Sequence, residues 1–316
     1  MKLASDSSDS EIRRAAQIRW VLWVTLALNL AVACAKIVYG QFAHALSIRA
    51  DGFHSLTDSS NNLVGLLGVW IASRPADAGH PYGHRKFEVL AAGVVGLSLL
   101  GMAYDVAKSA VLRMWEGAGP APHIDAGAFV VLAGTLAVNV CVARWERRRG
   151  AELESPMLTS DATHTSSDVL VTLGVLVTVA LVRLGFVLID VLSAIAISGF
   201  IGWAGIGVLR TNLAYLADSA RLDAKGVIEL ACKVPGVASA HKVRTRGMPG
   251  NIYVDLHVQV APHLTVVHAH QITHSVIDAI KAGFPGVRDV LVHTEPARAD
   301  QPHAPLPKGA SRRKSR

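Results

Sequence analysis

From about residue 18 to residue 210 the chain alternates long apolar runs with short polar breaks; after that the pattern changes character. A helix needs roughly 20 mostly apolar residues to cross a bilayer. Six runs approach or exceed that length: 18–39, 45–72, 89–112, 126–142, 158–181 and 186–209. The second and fifth are the least apolar and carry His, Asp, Ser and Thr. Beyond 210 the periods are those of a soluble domain. Helical spacing predicts a helix over 222–234, ended by Pro235-Gly236. Alternation predicts strands over 237–246 and 252–260, turned at Pro249-Gly250. A second helix over 263–282 stops at Gly283 and Pro285, and a last strand covers 290–293. The expected architecture is mainly α: a six-helix transmembrane bundle, then a small α/β domain in the order αββαβ, of ferredoxin-like form. The expected divisions are a polar segment 1–15, a membrane domain 16–212, a soluble domain 213–297 and a disordered basic tail 298–316.

Composition supports lipid as the solvent of the first part. Hydrophobic residues are 51% and charged residues 17% of the chain, against about 25% charged in soluble domains. The net charge of +7 sits largely in short loops and in the tail, which argues against a nucleic-acid partner. Arg13, Arg14 and Arg19 precede the first run; Arg74, Arg85 and Lys86 follow the second; Arg144 and Arg147 to Arg149 follow the fourth; Arg210 ends the sixth. The intervening loops are nearly free of Lys and Arg. Positive charge therefore alternates from loop to loop, as six spans with both termini in the cytoplasm require. Cys34, Cys141 and Cys232 are far apart, so neither a disulfide framework nor a cysteine metal site is available. No removable signal peptide is expected, since the first apolar run lacks a small-residue cleavage site.

The two least apolar runs share a motif. Asp51-Gly-Phe-His54-Ser-Leu-Thr-Asp58 and Asp161-Ala-Thr-His164-Thr-Ser-Ser-Asp168 both read D-x-x-H-x-x-x-D. On a helix these positions share one face, with His and the later Asp one turn apart. Both His–Asp pairs fall near mid-bilayer, on the order of 10–20 Å from the surface at about 1.5 Å per residue. An ionisable group there costs at least about 2.5 kcal/mol. Packing polarity or a proton relay are the bland alternatives. A dication instead satisfies two carboxylates and two neutral imidazoles together, and two nitrogens with two oxygens suit tetrahedral Zn²⁺, with Co²⁺, Fe²⁺, Cd²⁺ or Mn²⁺ as competitors. Two readings stand for Asp51 and Asp161: vestibule carboxylates that attract cations, or partners of helix polar groups.

Between the second and third runs, Asp77, His80 and His84 lie on a Gly- and Pro-rich turn and form a possible metal set, although exposed loop histidines are common. Arg85, Lys86 and Glu88 read first as interfacial anchors, with inter-helix salt bridges as the alternative. In the soluble domain His241 and His257 lie on neighbouring strands, and His293 and Glu295 end another. Strand adjacency can gather them, while solvated histidine is the plain reading.

The segments ADGFHSLTDSSNNL, PADAGHPYGHRKFE, SDATHTSSDVL and AHKVRTRG…VDLHVQV…VLVHTEP resemble the cation diffusion facilitator family over nearly the whole chain. The resemblance implies a homodimer in the inner membrane and alternating access. It implies export of Zn²⁺ in exchange for protons by a secondary transporter, not an enzyme. It assigns one tetrahedral ion to His54, Asp58, His164 and Asp168, a weaker site to Asp77, His80 and His84, and a dimer-interface site to His241, His257, His293 and Glu295. His270 is the next candidate; His263, His268 and His274 read as solvated. The long His-rich loop of many eukaryotic zinc members is missing between the fourth and fifth runs. Metal and protons compete for the same groups, so release is favoured where pH is low. Two other classes fit less well. An intramembrane metallohydrolase needs a general-base Glu beside paired His, which is absent, and a metal sensor has no use for a mid-bilayer site.

Overall fold

A computed structural model describes residues 2–42, 46–116, 126–183 and 187–297. The basic tail and the turn near 184–186 lie outside the described residues. The chain divides into two compact units, Met1–Leu213 and Ala214–Arg316.

The first unit contains helices α1 (Lys2–Phe42), α2 (Leu46–Ala72), α3 (Lys86–Glu116), α4 (Ala126–Glu152), α5 (Pro156–Arg183) and most of α6 (Val187–Leu216). Two helices are longer than the apolar pattern suggests. The polar segment 1–15 is not separate: it is the first part of α1, which has neither Pro nor Gly before Gly40 to stop it. Helix α4 continues ten residues past 142, as its basic stretch 144–149 consists of good helix formers. Arg148 and Arg149 bond Glu152 at 2.9 and 2.7 Å, one turn on. This extension carries Glu146 into the bundle. Glu154, with φ 47°, breaks the helix. Ser155 Oγ then accepts the Leu158 N–H at 3.2 Å, and Pro156 opens α5, the usual chemistry of a helix start.

The core of this unit is built at helical spacing. Ala15, Ile18, Leu22 and Leu26 of α1 face Leu66 and Val69 of α2, Ala91 and Val95 of α3, and Met157 and Leu158 of α5. Small residues set the closest approaches. A Cβ on Gly68 would stand 2.4 Å from the Ala91 Cβ, so α2 and α3 meet there only because position 68 has no side chain. Elsewhere the unit reverses the polarity of a soluble protein. Thr25, Asn62, Glu146, Asp161 and His164 are buried, whereas Trp20, Trp23 and Trp203 are exposed. Among the described residues, four segments are long and apolar enough to cross a membrane: Glu11–Tyr39, Lys86–Leu112, Phe129–Glu152 and Ala194–Leu216. Helices α2 and α5 carry the two polar repeats.

Glu88 is not an interfacial anchor. It is 1% exposed and accepts bonds from Arg14 at 3.0 and 3.3 Å and from Ser155 Oγ at 2.5 Å. Arg14 also donates to the Leu153 and Glu154 carbonyls at 2.7 and 2.9 Å. One ion pair thus ties α1, α3 and the α4–α5 turn together.

The second unit has the expected order: α7 (Ala224–Cys232), β1 (Val237–Met248), β2 (Asn251–Val260), α8 (Val266–Gly283) and β3 (Val287–Pro296). The sheet order is β1-β2-β3, antiparallel then parallel. Val254, Leu256 and Val258 of β2 point to one face and pack on Val227 and Ala231 of α7 and on Val276 and Ile280 of α8. Residues of opposite parity, including His257, occupy the other face.

Candidate metal centres

The cluster inside the bundle is built by α2 and α5. Asp58 of α2 and His164 and Asp168 of α5 each offer one ligand atom, and these atoms lie within 4.8 Å of one another. His164 Nε2 is 3.6 Å from Asp58 Oδ1 and 3.9 Å from Asp168 Oδ2. His164 is 4% exposed. Its Nδ1 is 3.5 Å from Ser98 Oγ, and Ser98 gives its own proton to the Val95 carbonyl at 2.8 Å. Nε2 points to the carboxylates, where Asn61 Nδ2 lies 3.3 Å from it. A cavity of about 90 Å³ opens beside the cluster, enough for an ion with some water. His54 stands on α2 one turn before Asp58; its side chain, like that of Asp51, lies outside the described residues.

Asp161 is not part of the cluster, although it lines the same cavity. It is 2% exposed and accepts from Asn62 Nδ2 at 2.6 Å, a bond to a helix polar group made at the edge of the cavity. Glu146, fully buried, accepts from Thr25 at 2.7 Å and Thr165 at 3.4 Å. Sequence reasoning missed Glu146, having placed it in a loop. It also passed over Lys36, an ionisable residue within an apolar run, which is itself a signal. Lys36 is 3% exposed, donates to Ser55 Oγ at 3.0 Å and lines the cavity.

Asp77, His80 and His84 also converge within 4.8 Å. Asp77 Oδ1 accepts the Gly79 and His80 N–H groups at 2.9 and 2.7 Å, so the turn holds the carboxylate in place. The His80 N–H holds Asp77 below its ordinary pKa, with smaller contributions from His84 and Gly79. His84 is buried, and its Nδ1 lies 3.1 Å from the Pro75 carbonyl. A carbonyl only accepts, so the proton is on Nδ1. Its Nε2 faces Asp77 Oδ2, 3.4 Å away.

In the second unit His241, His257 and His293 are register partners across the three strands. Three of the four residues that the sequence groups meet closely: His241, His257 and Glu295 lie within 4.8 Å. His257 Nδ1 is 2.6 Å and His241 Nε2 3.3 Å from the Glu295 carboxylate. His293 stands apart from this tight set. Its side chain is 66% exposed and its Nε2 is 3.8 Å from Glu295, whereas His241 on the opposite edge strand is 16% exposed. The His257 hydrogen bond holds Glu295 below the usual glutamate range, helped by the charge of His257 and His241. His270 pairs with His274 on exposed α8, Nε2 to Nε2 3.1 Å; among the described residues neither joins a cluster of three.

A model of the cation efflux transmembrane domain matches residues 22–217, and a model of the cation efflux protein cytoplasmic domain matches residues 221–297. The chain belongs to the cation efflux, or cation diffusion facilitator, family. Cation efflux relatives extend over its length. An uncharacterized transporter of Methanocaldococcus jannaschii is 31% identical over 84% of this chain and 94% of its own. The magnetosome protein MamB of Paramagnetospirillum magneticum is 27% identical over 88% and 94%, and the cation-efflux pump FieF of Salmonella arizonae 29% over 85% and 90%. Among solved structures, a MamM CTD variant in its cadmium form is 27% identical over 23% of this chain and 92% of that one, with TM-score 0.23. This cation efflux chain is accordingly a membrane protein that transports divalent metal cations, with a small C-terminal α/β domain.

Proposed function

We propose that this family member exports Zn²⁺ from the cytoplasm across the inner membrane in exchange for protons, as a homodimer with both termini in the cytoplasm. One observation carries the reading: Asp58, His164 and Asp168 meet from two different helices inside the bundle, beside a cavity. His54, one turn before Asp58, supplies the fourth ligand. Two carboxylates and two neutral imidazoles neutralise a dication and match the tetrahedral preference of Zn²⁺. Fe²⁺ and Mn²⁺ are served less well by so few oxygens, and Co²⁺ and Cd²⁺ are the nearer competitors.

Protons compete with the metal for these ligands, so a site that opens first to one side and then to the other exchanges the two. Asp77, His80 and His84 form a second, more exposed site at the membrane edge. His241, His257 and Glu295, with His293 beside them, bind metal where the soluble domains of the dimer meet and bias the carrier's conformational equilibrium. The alternation of Lys and Arg between loops supports the orientation.

Proteoliposomes with a pH dye inside and Zn²⁺, Co²⁺, Cd²⁺, Fe²⁺ or Mn²⁺ outside test the reading. Zinc should move fastest, with protons moving the opposite way. Metal uptake with no proton movement would remove the exchange, and a faster rate for Fe²⁺ or Mn²⁺ would remove the zinc assignment.

A further inference from the structure

The cavity beside the α2–α5 cluster is lined by four carboxylates: Asp58 of α2, Asp105 of α3, and Asp161 and Asp168 of α5. Among the described lining residues Lys36 of α1 is the one Lys or Arg. A lysine 3% exposed inside an apolar bundle is costly to keep, and a hydroxyl such as Ser55 cannot offset its charge by itself. The surrounding acidic groups can. Ser55 lies three residues before Asp58, so the bond from Lys36 holds the ammonium against the same stretch of α2 that presents the cluster.

We propose that Lys36 is the resident counter-ion of the transport cavity, a tethered cation that offsets the carboxylates while the site is empty and that the incoming dication must outcompete. The inference rests on the assignment of Asp58, His164 and Asp168 as the transport ligands. It makes Lys36 a positioning residue, acting on the metal through the field it shares with it. Repulsion between the ammonium and a dication in the same cavity weakens binding and hastens release. A carrier gains from this, because an ion held too tightly by four ligands leaves slowly.

Zinc transport by the full-length protein in proteoliposomes tests the idea through the separation of KM from kcat. Lys36→Met and Lys36→Gln remove the charge, the second keeping a donor for Ser55; Lys36→Arg keeps the charge. Both uncharged variants should show a KM at least about tenfold lower together with a lower kcat, while Lys36→Arg keeps a KM close to that of the unaltered protein. A merely structural lysine predicts a lower kcat with KM unchanged or raised, and that result overturns the proposal. Failure of both uncharged variants to fold assigns Lys36 to the fold and overturns it equally. Asp168→Ala, assayed in parallel, separates the two levels. If Asp168→Ala transports normally the ligand assignment has failed, whereas if it is inactive and Lys36→Met keeps an ordinary KM, only the role of Lys36 has failed.

Discussion

Glu146 and Asp161 show how uncharged donors serve buried carboxyl groups. Glu146 accepts from Thr25 and Thr165, and Asp161 accepts from Asn62. An amide keeps an acceptor oxygen for these hydroxyls, so Glu146→Gln should keep the thermal midpoint of the purified protein within a few degrees. Glu146→Leu removes the acceptor of the buried Thr25 hydroxyl, at about 1–3 kcal/mol for a buried polar group, and should lower the midpoint clearly. Equal effects of the two substitutions would show that these hydrogen bonds do not hold the site. Glu295 gives a prediction in pH. Its folded pKa is depressed, chiefly by the His257 hydrogen bond. It therefore adds stability that is fully present above the ordinary glutamate value of about 4.3 and is lost as pH falls through the lower, folded value. Hydrogen exchange across β2 and β3 of the metal-free protein, corrected for intrinsic rates, should show protection falling in that window. Glu295→Gln should flatten the fall.

At the scale of elements, the Arg14–Glu88 pair is the tie most exposed to test. Removal of Arg14 leaves a carboxylate that is 1% exposed without its cation. Arg14→Ala should cost about 3 kcal/mol, the low end for a broken buried pair, since Arg14 itself keeps 19% exposure. Adding Glu88→Gln should restore part of the loss, and a double variant no better than Arg14→Ala would contradict this account. The same elements show what the sequence could and could not disclose. The six helices and the αββαβ order are legible because apolar runs of spanning length and a change of period are strong signals. The ends of α1 and α4 are not, because charged helix formers extend a helix without adding apolar residues. Glu146 was hidden for that reason. His293 shares register with His257, as strand order suggests, but register alone does not say that its side chain stays in solvent while His241, on the opposite edge strand, is largely covered.

Within the first unit, polar groups inside and aromatic groups outside describe a bundle that turns its apolar surface to lipid and keeps a charged cavity within. The repeated D-x-x-H-x-x-x-D motif points from the sequence to α2 and α5, and Asp58, His164 and Asp168 meet there within 4.8 Å. Two further clusters, at Asp77, His80 and His84 and at His241, His257 and Glu295, have comparable ligand geometry at other places in the chain. Metal binding to the purified protein therefore cannot by itself identify the transport ligands; flux can. The most direct measurement is radioactive zinc uptake into proteoliposomes by folded Asp58→Ala, Asp168→Ala and His257→Ala variants. The two intramembrane substitutions should each reduce uptake to the protein-free background, and His257→Ala should keep substantial uptake at saturating zinc. Undiminished uptake by folded Asp58→Ala and Asp168→Ala would contradict the claim that a single dication is carried between α2 and α5.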